Sequence, residues 1–283
     1  MRSSNPTFNE SAMDRIREQA GMAVAGGAAA DAGFNLQDAT STSGRIESAD
    51  RMTVGGTAMK SLIALGIVVC AAGITWAATM SMASGGEAPG WLIPATFGGL
   101  IAGAIIGLVT CFKPHLAPYT TPLYCLAEGL FLGTISAVYQ LVYSPGEGLD
   151  GIVGQAVLLT MGVAGGMFGL YGTRIIKVTD KLRAGIMIAT AGVMLAYLAS
   201  IVMNLFGATM PYLHDSGPIG IGISLVIVAV AAFNLLLDFD FIERGAAMGL
   251  PKWGEWYGAF GLMVTLIWLY LEMLRLLAKL KQR

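Results

Sequence analysis

Charged residues are scarce in this 283-residue chain. Asp, Glu, Lys and Arg make up 12% of it, against roughly 25% in soluble proteins, while apolar residues make up 55% and mean hydropathy is +0.67. The formal net charge of −1 leaves no positive surplus to neutralise a phosphate backbone, so no nucleic acid partner is expected. The composition indicates an integral membrane protein in contact with the lipid bilayer.

Histidine and cysteine are also rare. His115 and His214 fall in loops predicted on opposite faces of the membrane, which argues against a two-histidine metal site. The three cysteines lie in or beside apolar runs without C-x-x-C spacing and are predicted to be small buried hydrophobic side chains. Since neither H-E-x-x-H nor G-x-S-x-G occurs, we expect no enzymatic activity and no cofactor.

Long apolar runs are absent from residues 1–56, which are rich in Ser, Thr, Asn, Ala and Gly. This composition predicts a mostly disordered cytoplasmic tail with at most a short helix over residues 11–24. Residues 57–283 form the second region, a seven-helix transmembrane domain.

Seven apolar segments are long enough to cross a bilayer as helices, which takes about 20 residues each. The even-numbered connections carry Lys and Arg, whereas the first, third and fifth carry none, so we expect a cytoplasmic N-terminus. The basic end AKLKQR conflicts with an outside C-terminus and leaves open that the last segment is re-entrant. The predicted spans are Met59–Met80, Trp91–Phe112, Thr121–Tyr143, Gly151–Tyr171, Ala184–Phe206, Ile219–Leu237 and Trp256–Leu277.

Glycine is abundant inside two of these segments, as GGLIAGAIIG and GVAGGMFGLYG. Small residues let helices approach closely in lipid. We therefore predict a packing role for both stretches, not a phosphate-binding one.

Acidic residues within apolar runs are the first candidates for function, because an unpaired charge there is costly. Glu128 is followed by Gly129 and Gly133, which suggests a small groove beside its carboxylate. Two interpretations stay open: a cation or proton site facing the bundle interior, or a carboxylate hydrogen-bonded between helices.

Glu272 and Arg275 share one face of the last segment. One interpretation is a local ion pair, with Lys279 extending toward the headgroups. The other is that Glu272 faces a second acid across the bundle and shares a proton or cation with it.

Asp238 and Asp240 stand at the end of the sixth segment, in LLLDFDFIERG. A two-residue step turns a helix by about 200°, so only one of them can face the interior. We assign Asp238 to the interior and leave Asp240 as a solvated or headgroup-level charge beside Arg244.

Three stretches resemble the transmembrane Bax inhibitor-1 motif family in its bacterial branch: EGLFLG, LLLDFDFI and LYLEMLRLL. The opening MRSSNP and the polar tail resemble actinobacterial members. The resemblance implies an all-α integral membrane protein with seven transmembrane helices, six of them around a central hydrophobic C-terminal helix. It places the chain in the bacterial plasma membrane.

The resemblance also implies a pH-sensitive calcium leak channel, in which an acid pair between the sixth and last helices acts as the latch. The matching positions are Asp238 and Glu272, where the family usually has Asp at the latter. A basic residue competing for the sixth-helix acid would be Lys113.

If the last helix begins at Trp256, the sequence spacing argues against contact between Asp238 and Glu272. Glu272 lies 16 residues further on, about 24 Å along a helix, and Glu255 would then be the nearer partner of Asp238. The pairing with Glu272 requires the buried part of the helix to begin later.

Two functions of different classes remain. One is a calcium or other cation leak with Asp238, Glu272 and Glu128 along the pathway. The alternative is a non-conducting regulator or scaffold that binds another membrane protein, such as a quality-control protease, through its tail. A proton-coupled transporter is disfavoured because no inverted repeat is evident.

Overall fold

The fold is taken from a computed structural model, and the described residues from Arg51 onward belong to one compact unit. The predicted tail residues 1–49, with their short helix, lie outside the described residues, as does His214. The structure describes residues 50–87, 89–147, 150–207 and 215–282.

Seven helices in the described part of the chain are long and apolar enough to cross a membrane. They contain 21 to 30 residues, or about 31–45 Å at 1.5 Å per residue, against about 30 Å of hydrocarbon. All seven predicted spans are confirmed, and the described residues contain no strand. The helices are α1 (Val54–Ala83), α2 (Leu92–Phe112), α3 (Ala117–Tyr143), α4 (Ile152–Gly172), α5 (Asp180–Leu205), α6 (Pro218–Ala247) and α7 (Trp253–Lys281).

Local sequence explains several helix ends. Thr53 caps α1 by accepting a hydrogen bond from the Gly56 amide, and Thr179 caps α5 in the same way. After α1 the chain turns at Gly85, whose φ of 93° lies in the region that glycine alone adopts readily.

Helix α7 is the most buried of the seven and confirms the predicted central helix. It packs directly against α1, α3, α4 and α6, while α2 packs mainly on α3 and α5 mainly on α6. Its apolar side chains lie in two clusters, one with α1 and α3 around Met263 and one with α4 and α6 around Leu269. The two halves of the bundle therefore meet on α7.

The last helix runs the full length of the bundle, so the re-entrant alternative is wrong. Before its first turn, the Met52 amide donates to the Leu250 carbonyl at 2.6 Å. At its other end Lys279 is buried and donates to Gly220 and Ser224, and Lys281 pairs with Glu147 at 2.7 Å. Both lysines make contacts with other parts of the protein, although Lys281 is exposed, so they carry less weight as topology signals. The interpretation that Lys279 extends toward the headgroups is wrong, because Lys279 is buried.

The prediction that glycines allow close packing of helices is confirmed for the stretch in α2 and is wrong for the stretch in α4. In α2, a Cβ at Gly99 would lie 2.5 Å from the Ala127 carbonyl, so a larger residue does not fit. The α4 glycines from Gly162 to Gly172 meet no atom within 4 Å of such a Cβ. They face outward and pack against no helix of the described chain.

The cysteine prediction also holds only in part. Cys125 is buried in the core, but Cys70 and Cys111 are exposed on the outer surface of the bundle. They face the side that lipid covers.

Candidate functional site

Helix α6 does not end at the two aspartates, as the sequence analysis expected. It continues through FIERGAA to Ala247, ten residues beyond Leu237. Arg244 of this extension and Arg183 of α5 form ion pairs with Asp240. Asp238 therefore lies within the helix, about 14 Å before its end.

Asp238 lies against the central helix. A Cβ added to Gly261 would come within 3.2 Å of its Oδ1, and the Thr265 hydroxyl lies within hydrogen-bonding reach of the carboxylate. Its Oδ2 is sealed from the surroundings and has no hydrogen-bond partner among the described residues. Gly261 and Thr265, one turn apart on α7, thus form the wall that this carboxylate faces.

Asp240 is buried, with 7% of its surface exposed. Its predicted neighbour Arg244 donates to Oδ1 at 2.9 Å, and Arg183 of α5 forms a second ion pair with Oδ2. The expectation of a solvated charge is wrong, because two guanidinium groups take the place of water around this carboxylate.

Glu272 is buried and faces α5. Its Oε1 accepts a hydrogen bond from the Tyr197 hydroxyl at 2.6 Å and from Arg275 at 3.1 Å, and Arg275 also donates to the Tyr197 hydroxyl. The local Glu272–Arg275 ion pair is therefore present.

The structure does not bring Asp238 and Glu272 together. The residues of α7 that contact Asp238, Gly261 and Thr265, precede Glu272 by eleven and seven positions, which is about 10–17 Å along the helix. The predicted pairing is thus not the contact of this structure.

Glu255 does not meet Asp238 either. It lies in the first turn of α7, is 1% exposed, and accepts hydrogen bonds from the backbone and hydroxyl of Thr53 at 3.0 and 2.9 Å. Lys60 and Lys252 form ion pairs with it. Its role is to anchor the start of α7 to the start of α1.

Glu128 is half-buried between α3 and α2. A Cβ at Gly103 would lie 2.6 Å from its Oε1, and no ion pair or hydrogen bond joins it to another described residue. Gly129 and Gly133 do not form the predicted groove beside it, because they face α1, where a Cβ at Gly129 would lie 2.7 Å from the Val68 carbonyl.

Two other expectations concern cations. Lys113 is exposed at the end of α2 and forms no ion pair with the described residues, so the structure does not place it near the sixth-helix acid. Among the described residues no group of three or more His, Cys, Asp or Glu could hold a metal ion.

The sequence analysis missed the contribution of α5 to this region. Arg183, Thr190 and Tyr197 are spaced seven apart on α5 and contact Asp240, Asn234 and Glu272 respectively. The seven-residue spacing of polar side chains was the available signal, since it marks one face of a helix.

Outside the spans, Glu147 follows α3 and accepts hydrogen bonds from Lys281 and Ser144. These bonds favour the ionised form and hold the pKa of Glu147 below its ordinary value. The contact fastens the α3–α4 connection to the end of α7.

These features define a class: an integral membrane protein of seven helices, with ionisable side chains held around a central helix. The sequence profile of the family described as Bax inhibitor 1 like matches residues 5–282. The chain belongs to this family. No curated protein matches it, and no solved structure matches it.

Proposed function

We propose that this protein is a pH-sensitive cation leak of a bacterial plasma membrane, with calcium as the candidate ion and Asp238 as its switch. Family membership is the background, and the resemblance described above is the reason for naming calcium and this membrane. The proposal involves no enzymatic activity and no cofactor.

The observation that carries the proposal is the difference among the buried acids. Glu255, Asp240 and Glu272 each contact Lys or Arg, whereas neither Asp238 nor Glu128 has a cationic partner among the described residues. An ionised carboxylate in such a place costs several kcal/mol, so a proton or a metal cation must balance it. These two acids are therefore our candidates for groups that exchange a proton for a passing cation.

The geometry supports a closed state in which Asp238 is protonated. Its Oδ2 is sealed between α6 and α7, so a cation cannot reach it unless these helices separate near Gly261 and Thr265. Loss of the proton leaves a charge that the sealed site does not compensate, which favours separation and hydration. The flux should therefore rise with pH.

Three cations on the helices that pack against α6 are engaged with other acids. Lys60 of α1 pairs with Glu255, and Arg183 of α5 pairs with Asp240. On α7, Arg275 pairs with Glu272. The proposed switch is therefore the carboxylate of Asp238 alone. It does not require contact between Asp238 and Glu272 in the closed state.

The test is initial calcium flux into proteoliposomes loaded with an indicator. A single proton changes the flux by up to about tenfold per pH unit, and we expect Asp238→Asn, which mimics the protonated acid, to give low flux without this pH dependence. The control is Glu243→Gln, an exposed carboxylate on the same helix, which should keep the wild-type profile. An unchanged profile in Asp238→Asn would overturn the proposal.

A second experiment, deletion of the N-terminal tail, distinguishes the leak from the non-conducting scaffold. The deletion should remove residues 2–49 and stop before Arg51, because Met52 is buried and Thr53 binds Glu255. An intrinsic leak persists without the tail, with its pH dependence intact. A wild-type protein that conducts nothing above empty vesicles would favour the scaffold.

A further inference from the structure

A cavity of about 320 Å³ lies beside the central helix, on a different face from Asp238. It is bounded by α1, α3, α4 and α7, and α7 contributes Met263, Ile267 and Tyr270. At 100° per residue these side chains lie roughly 140–200° around α7 from Thr265, the residue that faces Asp238, and Leu266, which also lines the cavity, lies about 100° from it. The cavity and the acid therefore occupy opposite sides of the same helix.

The cavity opens sideways toward the bilayer. Within the described chain, α1 and α4 are not among the packed helix pairs, and the gap between them forms the mouth. Val69 of α1 and Val157 of α4 line the cavity and are 61% and 43% exposed. Since both helices are membrane spans, these exposed apolar side chains face hydrocarbon.

The lining contains no charged side chain and very little polar surface. The hydroxyls of Ser136 and Tyr270 bond to each other at 2.7 Å, and the Thr160 hydroxyl is sealed without a hydrogen-bond partner among the described residues. Nothing in this lining could balance an ion or a headgroup, while the volume lies within the range of about 300–1,000 Å³ typical of ligand sites.

We propose that this cavity binds an acyl chain of a bilayer phospholipid, which enters between α1 and α4 and reaches the central helix. Hydrophobic transfer does not drive this binding, because the chain leaves one apolar medium for another. Close packing against the lining does, through many small dispersion contacts. The site should therefore discriminate by chain shape and length. This inference does not depend on the proposed leak.

The chain offers a matched pair of glycines for the test. Gly73 lines the cavity, and a Cβ there meets no atom within 4 Å, so Gly73→Leu fills the space without a backbone clash. Gly66 lies two turns earlier on the same helix, is equally open and is not part of the lining. Gly66→Leu is the control.

The full-length protein is reconstituted in phosphatidylethanolamine–phosphatidylglycerol vesicles that contain a phospholipid with a diazirine on its acyl chain. After irradiation, peptide mass spectrometry should find adducts on Met263 and Ile267, which line the cavity and are only 2% and 9% exposed. Gly73→Leu should reduce these adducts by at least about fivefold, and Gly66→Leu should not. Adducts on the outward-facing Leu158 report correct insertion of each variant.

Two results would overturn the inference. One is the absence of adducts on α7, or adducts that Gly73→Leu leaves unchanged while Leu158 is labelled normally. The other comes from Thr160→Val, which keeps the shape and removes the hydroxyl. An acyl chain makes no hydrogen bond there, so labelling should persist; its loss would mean that a ligand with a polar group occupies the cavity.

Discussion

At the residue scale, the acids of the membrane part differ in what neutralises them, and this difference assigns their roles. Glu255 receives two lysines and two hydrogen bonds from Thr53, which makes it structural. Asp238 faces Gly261 and the Thr265 hydroxyl and has no cationic partner among the described residues, which makes it the candidate for titration. Removing a charge should therefore affect stability at the first site and pH response at the second.

Glu255→Gln should lower the free energy of unfolding by about 3 kcal/mol, because it leaves Lys60 beside the bundle without its counter-charge. Lys60 is 17% exposed and Lys252 is 45% exposed, so water offsets only part of the loss. The measurement is thermal unfolding in detergent micelles. Glu243→Gln, which removes an exposed carboxylate, should cost less than about 1 kcal/mol, and equal losses in the two variants would contradict the assignment.

At the element scale, α5 is attached to the bundle differently from the other helices. Only 11% of the most apolar 18-residue stretch of α5 is buried, and α5 packs chiefly on α6. Its attachment comes from the polar stripe of Arg183, Thr190 and Tyr197, each bonded to α6 or α7. A helix held by a few polar contacts should move once they are removed.

Thr190→Val combined with Tyr197→Phe should loosen α5. Interhelical hydrogen bonds in membranes contribute about 0.6 kcal/mol each, so the pair removes about 1 kcal/mol. The measurement is the spin-label distance distribution between exposed Met187 of α5 and exposed Phe168 of α4 in a cysteine-free background. We expect a broader distribution in the double variant.

The control for this experiment is Thr96→Val. The Thr96 hydroxyl bonds to Thr134 at 2.8 Å and joins α2 to α3, so its loss should leave the α4–α5 distances unchanged. A double variant with the wild-type distribution would show that apolar packing, not the stripe, holds α5.

At the scale of the whole molecule, both ends of α7 are fastened to the bundle. The residues around Met52 and Glu255 hold its beginning, and contacts of Lys279 and Lys281 hold its end. With seven full spans, the two ends of the chain's membrane part lie on opposite faces of the bilayer. The distribution of Lys and Arg in the loops predicts which face is which.

Cysteine accessibility checks this orientation. In a cysteine-free background, Ser84→Cys and Asp150→Cys should react with an impermeant maleimide added to intact cells, because the loops they occupy are predicted to be outside. Lys113→Cys and Lys177→Cys should react only after permeabilisation. All four positions are exposed, so burial does not confound the comparison, and the reverse pattern would place the N-terminus outside.

The sequence by itself determined the number of spans, and the resemblance of three of its stretches to a known family implied the central position of the last one. Hydropathy over about 20 residues is a local property, so the spans can be predicted without knowing how the helices pack. The extent of α6 was not accessible in this way, because hydropathy falls where the charged residues from Asp238 onward begin, whereas the helix itself continues to Ala247.

The tertiary structure alone decided which partner on another helix each buried acid has. Glu255 and Thr53 are 202 residues apart, Glu272 and Tyr197 are 75 apart, and Asp240 and Arg183 are 57 apart. Spacing within one helix restricts a side chain to a face, but it carries no information on which other helix meets that face. For this reason the sequence identified the acids, and only the packing of the helices showed that Asp238 lies against the Gly261–Thr265 wall without a cationic partner among the described residues.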